Sequence, residues 1–399
     1  MKKALICLCL AICVLAGCVP ENAVSEGGKR ENTRYTDVAS SGVWLSYSEI
    51  NSMLKSEQGF KTEFSRVIEN LRSLKIEEIY LHIRAFCDSL FKSDYYPLVS
   101  AAKGLDYDVF EYIVNSCHTA GIKVHAWINP YRVLTSSSNP EDLRQDSPAY
   151  KWLHDNDPEN DKNVAICNGI YLNPAEQEVR ELVINGIREV LQKYKVDGIH
   201  FDDYFYPTTD PKFDMASYEK YKSGAENPLE LSDWRRSNVN ALISACYTAV
   251  KYYDKDILFT VSPMASVEKN YNELYADVSA WIKNGYVDCI IPQLYFGFDY
   301  PEPEFRFENL IKKWIELAAE NDGVELKIGL APYKIGTDSE QDREEWNESA
   351  DIIARQARKC RESGGVSGYV LFSYSSLFSS NGLNVKQREN LENFVNCPN

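Results

Sequence analysis

Beyond residue 40 the chain alternates between two hydrophobic periods. Short apolar runs of strand character occur at Val43–Ser46, Ile79–Ile83, Val124–Ile128, Gly198–Phe201, Leu258–Val261, Cys289–Gln293, Leu326–Leu330 and Gly368–Phe372. Each is followed by a longer segment with apolar residues at helical spacing, approximately Phe60–Leu74, Asp108–Ala120, Glu176–Tyr194, Ser232–Tyr253, Asp277–Asn284, Glu304–Glu320, Trp346–Ser363 and Val385–Val395. Eight such alternations predict an α/β chain folded as a (β/α)8 TIM barrel, one domain over residues 41–399, with its working end where the strands finish. Two long connections, Leu134–Leu172 after the third strand and Tyr204–Leu231 after the fourth, fall on that rim.

The first forty residues follow neither period. Lys2 and Lys3 precede an apolar run from Ala4 to Ala16, which has the charge and length of a signal sequence and is too short to cross a bilayer as a helix. The run ends in Leu15-Ala16-Gly17-Cys18, which resembles the lipobox of bacterial lipoproteins. That resemblance implies cleavage before Cys18, acylation of its thiol and anchoring to a membrane outside the cytoplasm. Residues 19–40, rich in Glu, Asn, Ser and Gly, have the composition of a flexible tether.

Charge and cysteine usage narrow the partners. The chain carries a formal charge of −16 with no Lys/Arg cluster, which argues against nucleic acid, and loss of Lys2 and Lys3 would make it more negative by two. Of its 11 cysteines, Cys7, Cys9 and Cys13 lie in the signal and Cys18 is the expected lipid site. An odd number is left, scattered singly in apolar stretches such as those around Cys117, Cys246 and Cys289, so they read as small buried hydrophobes.

The chemistry is concentrated at Val196-Asp197-Gly198-Ile199-His200-Phe201-Asp202-Asp203-Tyr204-Phe205-Tyr206-Pro207, a short strand that opens into two adjacent carboxylates among aromatic rings. Carboxylates at barrel strand ends do chemistry, and a glycosidase needs two of them, one as acid and one as nucleophile or base. Regular strand parity would point His200 and Asp202 to the barrel axis and Phe201 and Asp203 away from it. Asp203 can complete the pair, each acid raising the other's pKa, or the second carboxylate can come from another loop, with Asp88, Glu268, Asp299, Asp338 and Glu340 all placed after strands.

The other strand ends supply a polar rim full of Tyr, suited to stacking on pyranose faces and bonding their hydroxyls. The substrate-binding candidates are Arg84, Asp88, Trp127, Asn129, Arg132, His200, Tyr204, Gln293, Tyr295, Tyr333 and Tyr374. His82, His125 and His200 fall on consecutive strands, where a metal could sit. His82 and His125 lie well before their strand ends, so core histidines are the expected reading, and no metal or other cofactor is required.

The chain also resembles the glycosyl hydrolase-like family 10 (domain of unknown function 187) across about Ser41 to Phe378. The matching motifs are Gly42-Val43-Trp44-Leu45, His125-Ala126-Trp127-Ile128-Asn129-Pro130-Tyr131-Arg132, Tyr171-Leu172-Asn173-Pro174 with Glu178-Val179-Arg180, and the Asp197–Pro207 run. Trp234-Arg235-Arg236 with Asn238-Val239-Asn240, and Pro292-Gln293-Leu294-Tyr295, extend the match. The resemblance implies a (β/α)8 hydrolase whose catalytic carboxylate is Asp202, in a family linked to cleaving peptidoglycan strands stripped of their stem peptides. One segment departs: Arg84-Ala85-Phe86-Cys87-Asp88 stands where the family has Arg-Pro and a Gly before the Asp, which leaves the shape of that loop open. The expectation is therefore a lipid-anchored glycoside hydrolase with a polysaccharide substrate. The alternatives are a hydrolase of another extracellular polysaccharide and a lipoprotein that binds glycan without cleaving it.

Overall fold

The strands and helices follow the alternation of the sequence closely. In the computed structural model, which describes residues 40–337 and 341–397, eleven strands form. They are β1 (Ser40–Leu45), β2 (Glu78–Arg84), β3 (Lys123–Ile128), β4 (Arg132–Leu134), β5 (Val164–Cys167), β6 (Gly169–Leu172), β7 (Gly198–Phe201), β8 (Leu258–Val261), β9 (Cys289–Ile290), β10 (Glu325–Leu330) and β11 (Gly368–Leu371). Eight of them, β1, β2, β3, β7, β8, β9, β10 and β11, pair in parallel and close into a barrel, with β11 returning to β1. The predicted (β/α)8 TIM barrel is the fold. The remaining strands make a small antiparallel sheet in the order β4-β6-β5, built inside the long connection after the third barrel strand.

Side-chain alternation separates two cores. Ile199 and Phe201 of β7 point outward beneath the helices, where the Phe201 ring meets Phe259 edge-on at 5.3 Å. Inside the barrel lie Trp44, Tyr80, Trp127, Cys289, Ile291 and Val370. Gly198 is required by this interior, because a Cβ there would sit 2.1 Å from His125 Nδ1. The lower interior holds a buried ion pair, Lys327 Nζ to Glu78 Oε2 at 2.6 Å, with the Tyr80 hydroxyl donating to the same oxygen at 2.9 Å. Burial pushes the Glu78 carboxyl up, but Lys327, His125 and Tyr80 together bring it down to about 2.

Three differences from the sequence pattern have local causes. The sixth barrel strand ends at Ile290 and not Gln293, because Pro292 has no N–H to give the ladder; Gln293 keeps only isolated bridges to Met264 and Gly329. The helix expected over Trp346–Ser363 is two, Arg343–Glu348 and Ile352–Glu362. Gln387 and Asn390 of the closing helix donate to the carbonyls of Ser349 and Ala350, which breaks the helical ladder there. A short helix, Tyr47–Met53, follows β1, capped by Ser46 in a reciprocal pair with Glu49.

Five of the seven cysteines among the described residues, Cys87, Cys117, Cys246, Cys289 and Cys360, are buried and unpaired. Residues 1–39, and with them the expected signal, Cys18 and nearly all of the tether, lie outside the described residues, as do Asp338 and Glu340.

Candidate active site

β7 delivers Asp202 and Asp203 to the C-terminal mouth of the barrel. Asp202 is 3 % exposed; its Oδ2 accepts from Trp127 Nε1 at 3.0 Å and its Oδ1 from the Tyr204 backbone N–H at 3.1 Å. The chain bends directly after Phe201, so Asp203 does not continue the strand's outward face. Its Oδ1 instead accepts from Gln293 Nε2 at 3.1 Å, and the same amide nitrogen donates to the Ser262 carbonyl at 3.0 Å. Burial and the neighbouring Asp203 charge push Asp202 well above the usual carboxylate range, and burial raises Asp203 as well. Two carboxylates so placed resist double ionisation, and the pair retains a proton to higher pH than an isolated aspartate.

Aromatic rings wall the pair on two sides. On one, His82 stacks on Trp127 at 3.7 Å and Tyr47 meets His82 and Phe86 edge-on at 5.5 and 5.1 Å. The Arg132 guanidinium lies between Phe86 at 4.5 Å and Tyr204 at 4.3 Å. On the other, Tyr295, Tyr333 and Phe372 form a cluster with centroids 5.6 to 6.1 Å apart. Tyr204 and Tyr333 are 48 % and 39 % exposed, so both walls reach solvent. Burial, with Tyr333 and both aspartates nearby, pushes the Tyr295 hydroxyl far above its usual range, so it carries its proton beside the carboxylates.

The structure therefore gathers Asp202, Asp203, Trp127, Asn129, Arg132, Tyr204, Gln293, Tyr295 and Tyr333 at one mouth. Four expected binding residues lie elsewhere. A register shift between His82 and Arg84 turns Arg84 outward, where it is 1 % exposed and its guanidinium covers the Tyr96 ring at 3.6 Å against Gly186. Asp88 accepts from the backbone N–H groups of Ala85 and Phe86, closing the loop after β2. Cys87 takes the left-handed conformation there, with φ of 54°, at the position where the family carries glycine.

His200 is fully buried one layer below the aspartates. Its Nε2 accepts from Trp44 Nε1 at 3.0 Å, and its Nδ1 meets Thr260 Oγ1 at 2.8 Å, so neither ring nitrogen is left for substrate. Tyr374 faces an outer helix, its hydroxyl accepting from Asn70 Nδ2 at 2.8 Å. Tyr47 and Phe86 were missed by the sequence reading; each follows a barrel strand within two residues, which was the available signal.

Glu268 and Asp299 are exposed, which leaves Asp203 as the carboxylate beside Asp202 among the described residues. No group of three His, Cys, Asp or Glu side chains with metal-ligand spacing occurs among the described residues; His82 stacks on Trp127, and His125 on Tyr80.

A closed parallel barrel with a carboxylate pair at the end of its fourth strand, between aromatic walls, defines a TIM-barrel glycoside hydrolase. Its fold is similar to the glycoside hydrolase domain of PgaB (BpsB) from Bordetella bronchiseptica, with TM-score 0.62 and 14% identity, covering 89% of this chain and 99% of that one. The catalytic domain of a Paenibacillus polymyxa beta-amylase is similar at TM-score 0.57 and 10% identity, covering 89% and 98%. Residues 40–348 match glycosyl hydrolase-like 10, and the chain belongs to that family. Among its relatives, glycosyl hydrolase YngK of Bacillus subtilis is 28% identical over 86% of this chain and 69% of its own length. Glycosyl hydrolase DigH of Escherichia coli K12 is 28% identical over 84% of this chain and 83% of its own.

Proposed function

We propose that this glycoside hydrolase cleaves glycosidic bonds within an amino-sugar polymer, peptide-free peptidoglycan strands, outside the cytoplasm, and that lipid on Cys18 holds it to a membrane. The observation that carries the reading is the pair of adjacent carboxylates at the barrel mouth, Asp202 buried and Asp203 half-buried, flanked by aromatic rings of which Tyr204 and Tyr333 are exposed.

In this reading the pair holds one proton; Asp202, whose carboxylate form is favoured by the Trp127 and Tyr204 N–H donors, is the nucleophile or the base that activates water when that proton rests on Asp203. Asp203, more open and engaged by Gln293 through Oδ1, delivers the proton to the leaving oxygen. The walls take the apolar faces of consecutive sugar rings. Asn129 holds its Oδ1 on Trp127, while its buried Nδ2 has no hydrogen-bond partner among the described residues, which suits it to an acetamido or hydroxyl oxygen of the substrate.

Mass spectrometry of products from peptide-free strands, with Asp202→Asn as control, tests the substrate. Defined muro-oligosaccharides from the native protein alone support it. Binding without cleavage would favour a capture protein, and neither would point to another extracellular glycan. Metabolic labelling with a fatty acid, lost in Cys18→Ala, tests the anchor.

A further inference from the structure

A cavity of about 590 Å3 opens on the flank of the barrel, and none of the residues gathered at the mouth lines it. It lies between two outer helices, Phe307–Ala318 after β9 and Ile352–Glu362 after β10. The connection through Phe298, Asp299 and Arg306 closes one side.

The walls are charged and unevenly paired. Arg355, Lys359 and Glu362 recur at i, i+4 and i+7 on one helix face, with Arg358 beside them. Lys359 Nζ reaches Glu308 across the cleft at 2.9 Å, and Arg355 lies 3.8 Å from Glu345. Arg306 and Arg358 form no ion pair among the described residues. All three guanidinium groups are nonetheless held. Arg306 Nε donates to the Tyr300 carbonyl at 3.0 Å, Arg355 covers the Phe298 ring at 4.5 Å, and Arg358 lies 5.7 Å from the Phe394 ring. These anchors use a face or the Nε, and leave the terminal N–H forks for a ligand.

We propose that this cavity binds a phosphorylated sugar or polyol through Arg306, Arg355 and Arg358, at a site separate from the catalytic mouth. A phosphate group presents three oxygens and up to two charges, which suits several guanidinium forks better than a single carboxylate does. The volume falls within the range of small-ligand sites and exceeds what a bare phosphate fills. Asn309 offers an amide to the rest of the ligand, and Asp299 and Glu362 accept from its hydroxyls. Those two exposed acids also repel a bare anion, so the body of the ligand contributes to its retention as well as the charge.

Calorimetric titration of the full chain with glucose 6-phosphate and glycerol 3-phosphate, beside glucose and inorganic phosphate, tests the assignment. Saturable binding of a phosphorylated probe is expected with Kd of about 0.1–1 mM, and at least tenfold weaker binding of glucose and of inorganic phosphate. The double variant Arg306→Gln/Arg358→Gln should weaken the phosphorylated probe by about tenfold or more. Arg306→Lys/Arg358→Lys, which keeps the charge without the forks, should lose less, and Arg132→Gln, altered at the mouth, should bind as the native protein does. Melting temperatures separate loss of binding from loss of fold.

No saturable binding of either phosphorylated probe would overturn the proposal, as would undiminished affinity in the folded double variant. Loss of binding in Arg132→Gln would place the ligand in the mouth instead. Inorganic phosphate held as tightly as the sugar phosphate would overturn the assignment of a sugar or polyol body.

Discussion

The Trp127 indole N–H donates to Asp202 Oδ2 at 3.0 Å and also to Asn129 Oδ1 at 3.1 Å, so one ring on the third barrel strand orients both the acid of the fourth strand and a neighbouring amide. Trp127 is itself held by His82, stacked on its face. Removing the donor by Trp127→Phe keeps most of the apolar ring and takes away a bond that favours ionised Asp202. The expected result is a kcat lowered by about tenfold or more and a pH–rate profile whose carboxylate limb moves to higher pH. A profile measured on a soluble glycan substrate decides it; an unmoved limb would place Trp127 in packing alone.

Asp202→Asn should make the protein more stable at neutral pH. Burial and the Asp203 charge raise the Asp202 pKa in the folded state, so above the ordinary carboxylate range the ionised pair opposes folding, and an amide relieves it. The gain should disappear as the pH falls below about 4, where Asp202 of the wild type is protonated in both the folded and the unfolded state. Melting temperatures at pH 7.5 and pH 3.5 give the comparison. A variant less stable than wild type at pH 7.5 would show that the carboxylate holds the fold together.

The opposite sign applies to Glu78. Its folded pKa of about 2 lies below the ordinary 4.5, so its contribution is complete above that value and is lost as the pH falls toward 2. Lys327→Met would leave Glu78 buried without its cation and should cost about 3–5 kcal/mol in urea unfolding at pH 7. The loss should shrink in acid, as Glu78 becomes protonated. A constant loss across that range would point to lost packing in place of lost charge pairing.

Arg235 clasps the loop that follows Asp202 and Asp203. Fully buried, it donates to both oxygens of Asp214, to the carbonyls of Thr209 and Asp210 and to the Tyr275 hydroxyl, and its guanidinium lies 5.1 Å from the Tyr206 ring. Arg235→Met should destabilise the protein by roughly 3–5 kcal/mol and expose the Tyr204–Leu231 segment to protease. Unchanged proteolysis would show that the loop is held by its other contacts.

Much of this was legible in the sequence, and the failures share a cause. The alternation of periods specified all eight barrel strands, because a buried parallel strand and an amphipathic helix leave different patterns. Asp202 was legible because it directly follows its strand, and Gln293 and Tyr295 because they lie within five residues of theirs. Arg84 was misplaced because a bulge reversed its direction, and a bulge leaves no mark in hydrophobic periodicity. His200 and Tyr374 stand in the same sequence neighbourhoods as true rim residues; their partners, Trp44, Thr260 and Asn70, come from distant segments. The antiparallel sheet that positions Arg132 was hidden for a similar reason, since its strands are only three or four residues long.

We propose that Asp202 and Asp203 together break the glycosidic bond. Turnover of peptide-free strands by Asp202→Asn and Asp203→Asn, measured beside their melting temperatures, tests it most directly. A fall of roughly a hundred- to ten-thousandfold is expected in each, with the fold intact. Either variant turning over at the native rate while folded would contradict it.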